Sequence, residues 1–285
     1  MRLSKNGNSM QNEIELKIML LPENIAPVKN WLAQQNVVEA RTDSLGNTYF
    51  DTAEQFFAKN QMGFRVRTYN GHHEMTLKMK GEIIGGLHVR PEYNLPLETK
   101  APDFKRLNSH FNLQIPEAEQ ISAQLKAKFS TDFIRHKWLI QYQNTKIEVA
   151  LDQGEIKNEY GSAPICELEF ELLEGNLDDV FSLLAQMPKQ DGMWLSSLSK
   201  AQRGYLVGHT ERFREEIEQA LSKEKGYILE QKFADYLREV DDPQMVEQFF
   251  QVFPLFRHRE KETLQHYLKS AAYLEYNLAQ LLALA

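Results

Sequence analysis

A single cysteine, Cys166, is all that this chain of 285 residues carries, so no intrachain disulfide can form and nothing points to an oxidising compartment. The cytoplasm is the expected location. Long apolar runs are missing too, since no window approaches the ~20 apolar residues that a membrane span needs. Residues 1–9 (MRLSKNGNS) lack the apolar core of a signal peptide, and residues 1–11 are expected to be a disordered leader. Positive charge is in deficit: 33 Lys and Arg against 40 Asp and Glu leave a formal net charge of -7. General nucleic-acid binders carry the opposite balance or a dense basic patch, so neither nucleic acid nor membrane is an expected partner and any anion binding must be local. The part of the chain beyond Thr210 shows no internal repeat and no low-complexity tract. What remains, 42% hydrophobic and 26% charged residues, is the composition of a globular protein with a real core.

Polar and apolar residues alternate from Asn12 to about Leu173, which is the period of strands. Eight mostly antiparallel strands are predicted, at residues 13–20, 37–50, 63–69, 74–80, 87–95, 134–142, 146–151 and 165–173. The Tyr69-Asn70-Gly71 turn and the Gly85-Gly86 pair fall where hairpins need residues that tolerate positive φ. Helical spacing predicts helices over 22–35, 103–110 and 116–128, then over 177–186 and 197–207. Beyond Thr210 the chain reads as helix throughout, in segments 211–225, 227–240, 244–253 and 257–284. The expected fold class is α+β: an eight-stranded antiparallel β-barrel coated by helices over residues 12–208, with an all-α region over 210–285.

Within the strands the charges keep to every second position. Glu13, Glu15 and Lys17 share one face of their strand, while Ile14, Leu16 and Ile18 share the other. The same holds for Arg65 and Arg67; Thr76, Lys78 and Lys80; His88, Arg90 and Glu92; Glu148 and Asp152; and Glu167, Glu169 and Glu171. For one strand, a solvated outer face explains this well enough. Repetition in six strands does not fit that account, because same-face neighbours lie roughly 7 Å apart and like charges at that spacing are unfavourable. Segregation of sign becomes favourable when a divalent metal sits between the carboxylates and a phosphate chain between the cations. The apolar faces then point outward and need a helical coat, which leaves a polar-lined tunnel inside.

These residues resemble the CYTH family, also called the triphosphate tunnel metalloenzymes. The Glu-x-Glu-x-Lys signature stands here as Glu13, Glu15 and Lys17. Tyr49-Phe50-Asp51-Thr52, Arg65-Val66-Arg67, Thr76-Leu77-Lys78, Asp152-x-Gly154, Glu167-Leu168-Glu169 and Ser199-Lys200 follow in the family's order. Gly85 through Glu92 and Lys200 through Gly204 are similar to the bacterial inorganic triphosphatase branch. Members of that branch often carry a helical C-terminal domain, CHAD, rich in basic residues and histidines. The tail from Thr210 is too short for a whole one, and in it acidic residues outnumber basic ones, so no CHAD function carries over.

The resemblance implies hydrolysis of inorganic tripolyphosphate to pyrophosphate and phosphate with Mg2+ or Mn2+ as cofactor. Glu13, Glu15 and Lys17 are the implied catalytic group, and Glu13, Glu15, Asp152, Glu167 and Glu169 the implied metal ligands. Lys17, Arg65, Arg67, Lys78, Lys80, Arg90, Arg135 and Lys200 would grip the phosphate chain, arginine in bidentate contacts and lysine as a point charge. A homodimer is compatible with the resemblance. The alternatives are an adenylate cyclase of class IV type, a triphosphatase for thiamine or nucleoside triphosphates, and a non-catalytic polyphosphate-binding module. The last would need the cations and could dispense with the carboxylates. Cys166 is expected to be a packing residue.

Overall fold

The computed structural model describes residues 12–284, and the expected leader lies outside the described residues. The strands are β1 (Asn12–Leu20), β2 (Val37–Asp51), β3 (Gly63–Tyr69), β4 (His72–Lys78), β5 (Glu82–Ile84), β6 (Leu87–Leu97), β7 (Lys126–Tyr142), β8 (Thr145–Asn158), β9 (Gly161–Glu174) and β10 (Met193–Leu195). The helices are α1 (Ile25–Leu32), α2 (Phe56–Lys59), α3 (Phe104–His110), α4 (Ala118–Ala123), α5 (Leu177–Gln186), α6 (Lys200–Leu206), α7 (Thr210–Lys223), α8 (Gly226–Glu239), α9 (Pro243–Val252), α10 (Leu264–Tyr267) and α11 (Ala271–Leu284).

All eight expected strands are present. They pair antiparallel in the order β1-β9-β8-β7-β2-β3-β4-β6, and β6 returns to β1 through Glu13↔Arg90 and Leu16↔Leu87, so the sheet closes on itself. The short β5 and β10, which the alternation did not reveal, add to β6 and β1 outside this ring. Asn70 and Gly71, both at positive φ, turn β3 into β4 as their residue types predict.

Closure assigns the two faces of every strand. Outward residues of β1, β8 and β9, among them Leu16, Ile18, Val149 and Phe170, pack under Val28, Trp31 and Leu32 of α1 and Val180, Leu183 and Leu184 of α5. Leu274, Leu278 and Leu281 of α11 join the same core, so the last helix of the tail packs back on the barrel. On the other side, Phe64, Val66, Met75 and Leu77 lie under Phe57, Phe104, Leu107 and Ile121 from α2, α3 and α4. Burying each such side chain contributes about 1.5–3 kcal/mol.

Two predicted helices differ from those observed. The one over 116–128 shrinks to α4, because β7 begins at Lys126, eight residues before its expected start. In that stretch Phe129, Thr131 and Phe133 share the face of Arg135, an inward apolar run with polar outward neighbours, the reverse of the pattern used to find the strands. The single helix over 257–284 is broken into a short 3-10 turn (Lys261–Thr263) followed by α10 and α11. The sequence Arg257-His258-Arg259-Glu260-Lys261-Glu262 offers no apolar stripe to hold a continuous helix there, and Ser270 restarts it by accepting a hydrogen bond from the Tyr273 N–H at 3.2 Å.

The inward apolar run receives α6, which enters one end of the barrel. Tyr49 and Phe129 stack at 4.5 Å, and Tyr205 of α6 meets Phe129 edge-on at 5.0 Å. A Cβ at Gly204 would lie 2.2 Å from the Phe129 ring. Alanine favours a helix over glycine by about 1 kcal/mol, whereas a ring held by Tyr49 and Tyr205 has no room to retreat, and overpacking costs about 1–3 kcal/mol. Gly204→Ala is therefore expected to lower stability in urea unfolding; a variant as stable as the parent would show that α6 does not seat this closely.

Candidate active site

Cross-strand register brings the predicted charges together. Lys17 lies opposite Glu169, Glu15 opposite Glu171 and His88, Arg135 opposite Asp152, and Asp152 opposite Glu167. Each pair shares the interior face, so acids from β1, β6, β8 and β9 and bases from β1, β3, β4, β6 and β7, joined by Lys200 of α6, line one channel. Glu15, Lys17, Asp152 and Glu167 are almost wholly buried, and Arg65, Glu169 and Lys200 nearly so.

Three groupings form within the channel. Around Lys78, the ammonium lies 2.6 and 2.5 Å from the two carboxylate oxygens of Glu13 and 2.8 Å from Glu92, while Arg90 donates to Glu15 at 2.8 Å. Around Lys200, the ammonium lies 2.6 Å from Asp152 and 2.9 Å from Glu169 and also abuts Glu167. Arg135 grips both oxygens of Asp152, at 2.6 and 2.5 Å, and reaches Glu169 at 2.6 Å. Lys17 stands further off, 3.8 Å from Glu167 and 3.7 Å from Glu169.

The third grouping lacks anions. Arg65 meets only the phenol of Tyr49, at 3.5 Å, and its Nε has no partner; Arg67 donates to the side-chain oxygen of Asn47 at 2.8 Å. Among the described residues neither guanidinium forms an ion pair. Burial and the neighbouring Arg65 and Arg135 hold the pKa of Arg67 down, to about 9. Two adjacent arginines without an ion pair, Arg65 buried and Arg67 half-buried, form a site that favours an incoming anion.

Lys80 is a correction to the predicted set. β4 ends at Lys78, and Lys80 is exposed, apart from the interior groupings. The residues that the sequence reading left out include Arg203, which donates to Glu167 at 3.2 Å and to the Pro164 carbonyl at 2.6 Å. Its place three residues after Lys200, on the same side of α6, was the available signal. Lys137, two residues after Arg135, pairs with Glu148 at 2.5 Å. Asp51 instead anchors the fold, accepting from the Thr52 and Phe57 N–H groups and from the Tyr205 hydroxyl. The Cys166 thiol is pushed up to about 11 by burial, which suits a packing residue.

Asp152, Glu167 and Glu169 each present a carboxylate oxygen within 4.8 Å of the others. A convergent, buried, all-oxygen donor set suits a hard divalent ion such as Mg2+ or Mn2+. Glu13 and Glu15 belong to the Lys78 grouping instead, so the implied ligands divide between two neighbouring clusters.

The electrostatics follow from burial working against pairing. Burial raises Asp152 and Glu169, but Arg135 and Lys200 outweigh it and hold both carboxyls below their ordinary range. For Glu15, Lys78 and Arg90 overcome burial in the same way, bringing it to about 2. Glu13 goes the other way, to about 8, because burial and the nearby Glu15 and Glu92 exceed the pull of Lys78. Burial raises Glu171 from 4.5 to about 7, and Glu148 adds to the shift. A carboxyl whose folded pKa exceeds its unfolded value costs stability as pH climbs between the two, here from 4.5 to about 7. Glutamine escapes that cost. Metal-free Glu171→Gln is thus expected to be more stable than its parent by on the order of 1–3 kcal/mol at pH 8 and no more stable at pH 4.5. Urea titrations at the two pH values check this, and an equal difference at both would refute it.

A family model described as the CYTH domain matches residues 11–205, the whole barrel and most of α6. The chain is 42% identical over 202 residues to an inorganic triphosphatase of Haemophilus influenzae, a match that takes in 70% of this chain and 56% of that protein. The chain thus spans about half the length of the curated relative it matches. Among solved structures, an adenylyl cyclase candidate from Hippeastrum with a dominant triphosphatase activity superposes with a TM-score of 0.46 at 19% identity, over 61% of this chain and 84% of that one. An adenylate cyclase candidate from Bacillus halodurans gives a TM-score of 0.39 at 20% identity, over 62% and 89% of the two chains. With more than half of its length matched by one family model, the chain belongs to the CYTH domain family.

Proposed function

We propose that this protein is a metal-dependent triphosphatase that hydrolyses inorganic tripolyphosphate to pyrophosphate and phosphate inside the barrel. The observation that carries the reading is the pair Arg65, buried, and Arg67, half-buried, which among the described residues have no carboxylate in direct contact, in a channel otherwise filled with ion pairs. A short polyanion supplies what they lack. Naming inorganic tripolyphosphate draws on the likeness to the Haemophilus influenzae protein.

In this reading Arg65 and Arg67 take one end of the phosphate chain, and Lys17, Lys78, Arg90, Arg135 and Lys200 neutralise the rest. The cations that now pair with carboxylates exchange partners as the polyanion enters, and divalent ions on the carboxylates so released would offset part of the added negative charge. Asp152, Glu167 and Glu169 are best placed to hold a divalent ion, with Glu13 and Glu15 for a second. Such an ion supplies Lewis-acid polarisation of phosphate oxygens and a more acidic water. Glu15, held ionised by Lys78 and Arg90, remains an acceptor able to orient a water for in-line attack. Positioning and fixed charge supply most of the rate, since no side chain here needs to form a covalent intermediate. The enzyme is assigned to the cytoplasm, in keeping with its single free cysteine.

Phosphate release from tripolyphosphate, ATP and thiamine triphosphate, with Mg2+ or Mn2+, tests the proposal. Tripolyphosphate is the expected preferred substrate, and Glu15→Gln is expected to lower kcat by roughly a hundredfold or more while the barrel stays folded. Turnover by Glu15→Gln at the parent rate would overturn the reading, as would tight tripolyphosphate binding without any turnover by the parent.

A further inference from the structure

Lys200 does not belong to a barrel strand. It is delivered into the channel by α6, and the segment leading to α6 is held from two sides at a single peptide bond. On the barrel side, His88 lies fully buried opposite Glu15, and its Nε2 is 3.3 Å from the Ser196 carbonyl. A carbonyl only accepts, so Nε2 carries the proton. On the other side, Asp235 of α8 accepts from the Ser197 N–H at 2.8 Å and from the Ser197 hydroxyl at 2.6 Å. Carbonyl and N–H of the Ser196–Ser197 peptide are therefore fixed in opposite directions, one by the barrel and one by the helical tail.

Asp235 is itself locked in place. Arg238, 2% exposed, donates to Asp235 at 3.0 Å, to the Leu195 carbonyl at 3.1 Å and to the Leu268 carbonyl at 2.9 Å. Little slack remains between Ser197 and Lys200. Ser199 caps α6 in a reciprocal box with Gln202, at 2.9 and 3.2 Å, and Lys200 is the first residue of the helix. A displacement at Ser197 reaches the ammonium through two residues, one of which is the cap.

We propose that Asp235 is a positioning residue for Lys200: by holding the Ser196–Ser197 peptide, the helical C-terminal region sets where α6 delivers this cation. The claim rests on the tripolyphosphate reading for its assay. It makes the tail part of the binding apparatus, although no residue of α7 to α11 is among the interior charged groupings described above.

A double-mutant cycle in the full chain tests it. KM and kcat for tripolyphosphate, and the thermal midpoint, are measured for Asp235→Ala, Asp235→Asn and Ser197→Ala, each alone and combined with Lys200→Ala. Asp235→Ala is expected to raise KM roughly tenfold, and Ser197→Ala, which removes one donor, roughly threefold. Asparagine keeps an oxygen for the Ser197 N–H, so Asp235→Asn is expected to recover most of the affinity. In the Lys200→Ala background all three should change KM by less than about twofold, because the group being positioned is gone. An equal fold-change in both backgrounds, or a lowered thermal midpoint with KM unchanged, overturns the proposal. Should Asp235→Ala not fold, the Ser197→Ala arm decides alone. A parent that leaves tripolyphosphate intact would sink the hydrolase reading instead, and the same cycle read by calorimetric binding of tripolyphosphate in EDTA would still judge the positioning role.

Discussion

Charge inside a closed barrel has no bulk water to turn to, and most of this structure answers that constraint. The β1–β6 pairing that closes the sheet also takes Glu15, Lys17, Asp152 and Glu167 out of solvent. Each buried ion would cost several kcal/mol if left alone. The interior therefore sorts into groups in which nearly every carboxylate has a cation within contact, with Lys78 shared by Glu13 and Glu92 and Lys200 by three acids. Neutrality is achieved collectively rather than pair by pair. Such an arrangement can trade partners, and among the described residues Arg65 and Arg67 are interior cations without an ion pair.

The closed wall has a second consequence. With the polar face turned inward, the barrel presents an apolar exterior, and the chain spends its helices covering it. Sequence-neighbouring helices do so for most strands: α1 and α5 cover β1, β8 and β9, and α2 to α4 cover β3, β4 and β6. The tail contributes as well, because α11 returns to the α1–α5 side with Leu274, Leu278 and Leu281. Its buried Gln231, Tyr273 and Asn277 form a polar network at the same contact, with Gly85 close beside Tyr227 and Gln231. A helical region that reads as separate by composition is thus joined to the barrel through both apolar and polar contacts.

The central part of this design was legible because it breaks the usual rule for a sheet. Glu13, Glu15 and Lys17, or Glu167, Glu169 and Glu171, repeat charges of like sign at strand spacing, and such repeats need a partner across a cavity. What the alternation could not reveal lies where the interior is apolar. Phe129, Phe133, Ile156 and Ile165 obey the ordinary inside-apolar pattern, so the start of β7 and the floor beneath α6 were invisible to a search for charged faces. Lys80 failed for the opposite reason: its spacing continues the run of Thr76 and Lys78, but spacing cannot say where a strand stops. β10 and β5, of three residues each, have too little sequence to show a period at all.

The position of α6 follows from the same electrostatic constraint. Consider the acids Asp152, Glu167 and Glu169 with the barrel strands alone. Arg135 satisfies Asp152 and one oxygen of Glu169, but the nearest strand cation to Glu167 is Lys17 at 3.8 Å, too far for a hydrogen bond. Lys200 and Arg203, one turn of helix apart, both face Glu167 and close that gap. Phe133 supports this arrangement from below, with Lys200 and Arg135 lying 5.2 and 5.6 Å from its ring centre, close enough for cation–π attraction. A barrel ending with β9 would close geometrically yet leave a buried carboxylate undercompensated. The smallest self-sufficient unit therefore includes α6: apolar cover sets the outer boundary of the fold, and charge balance sets how far along the chain that unit must extend.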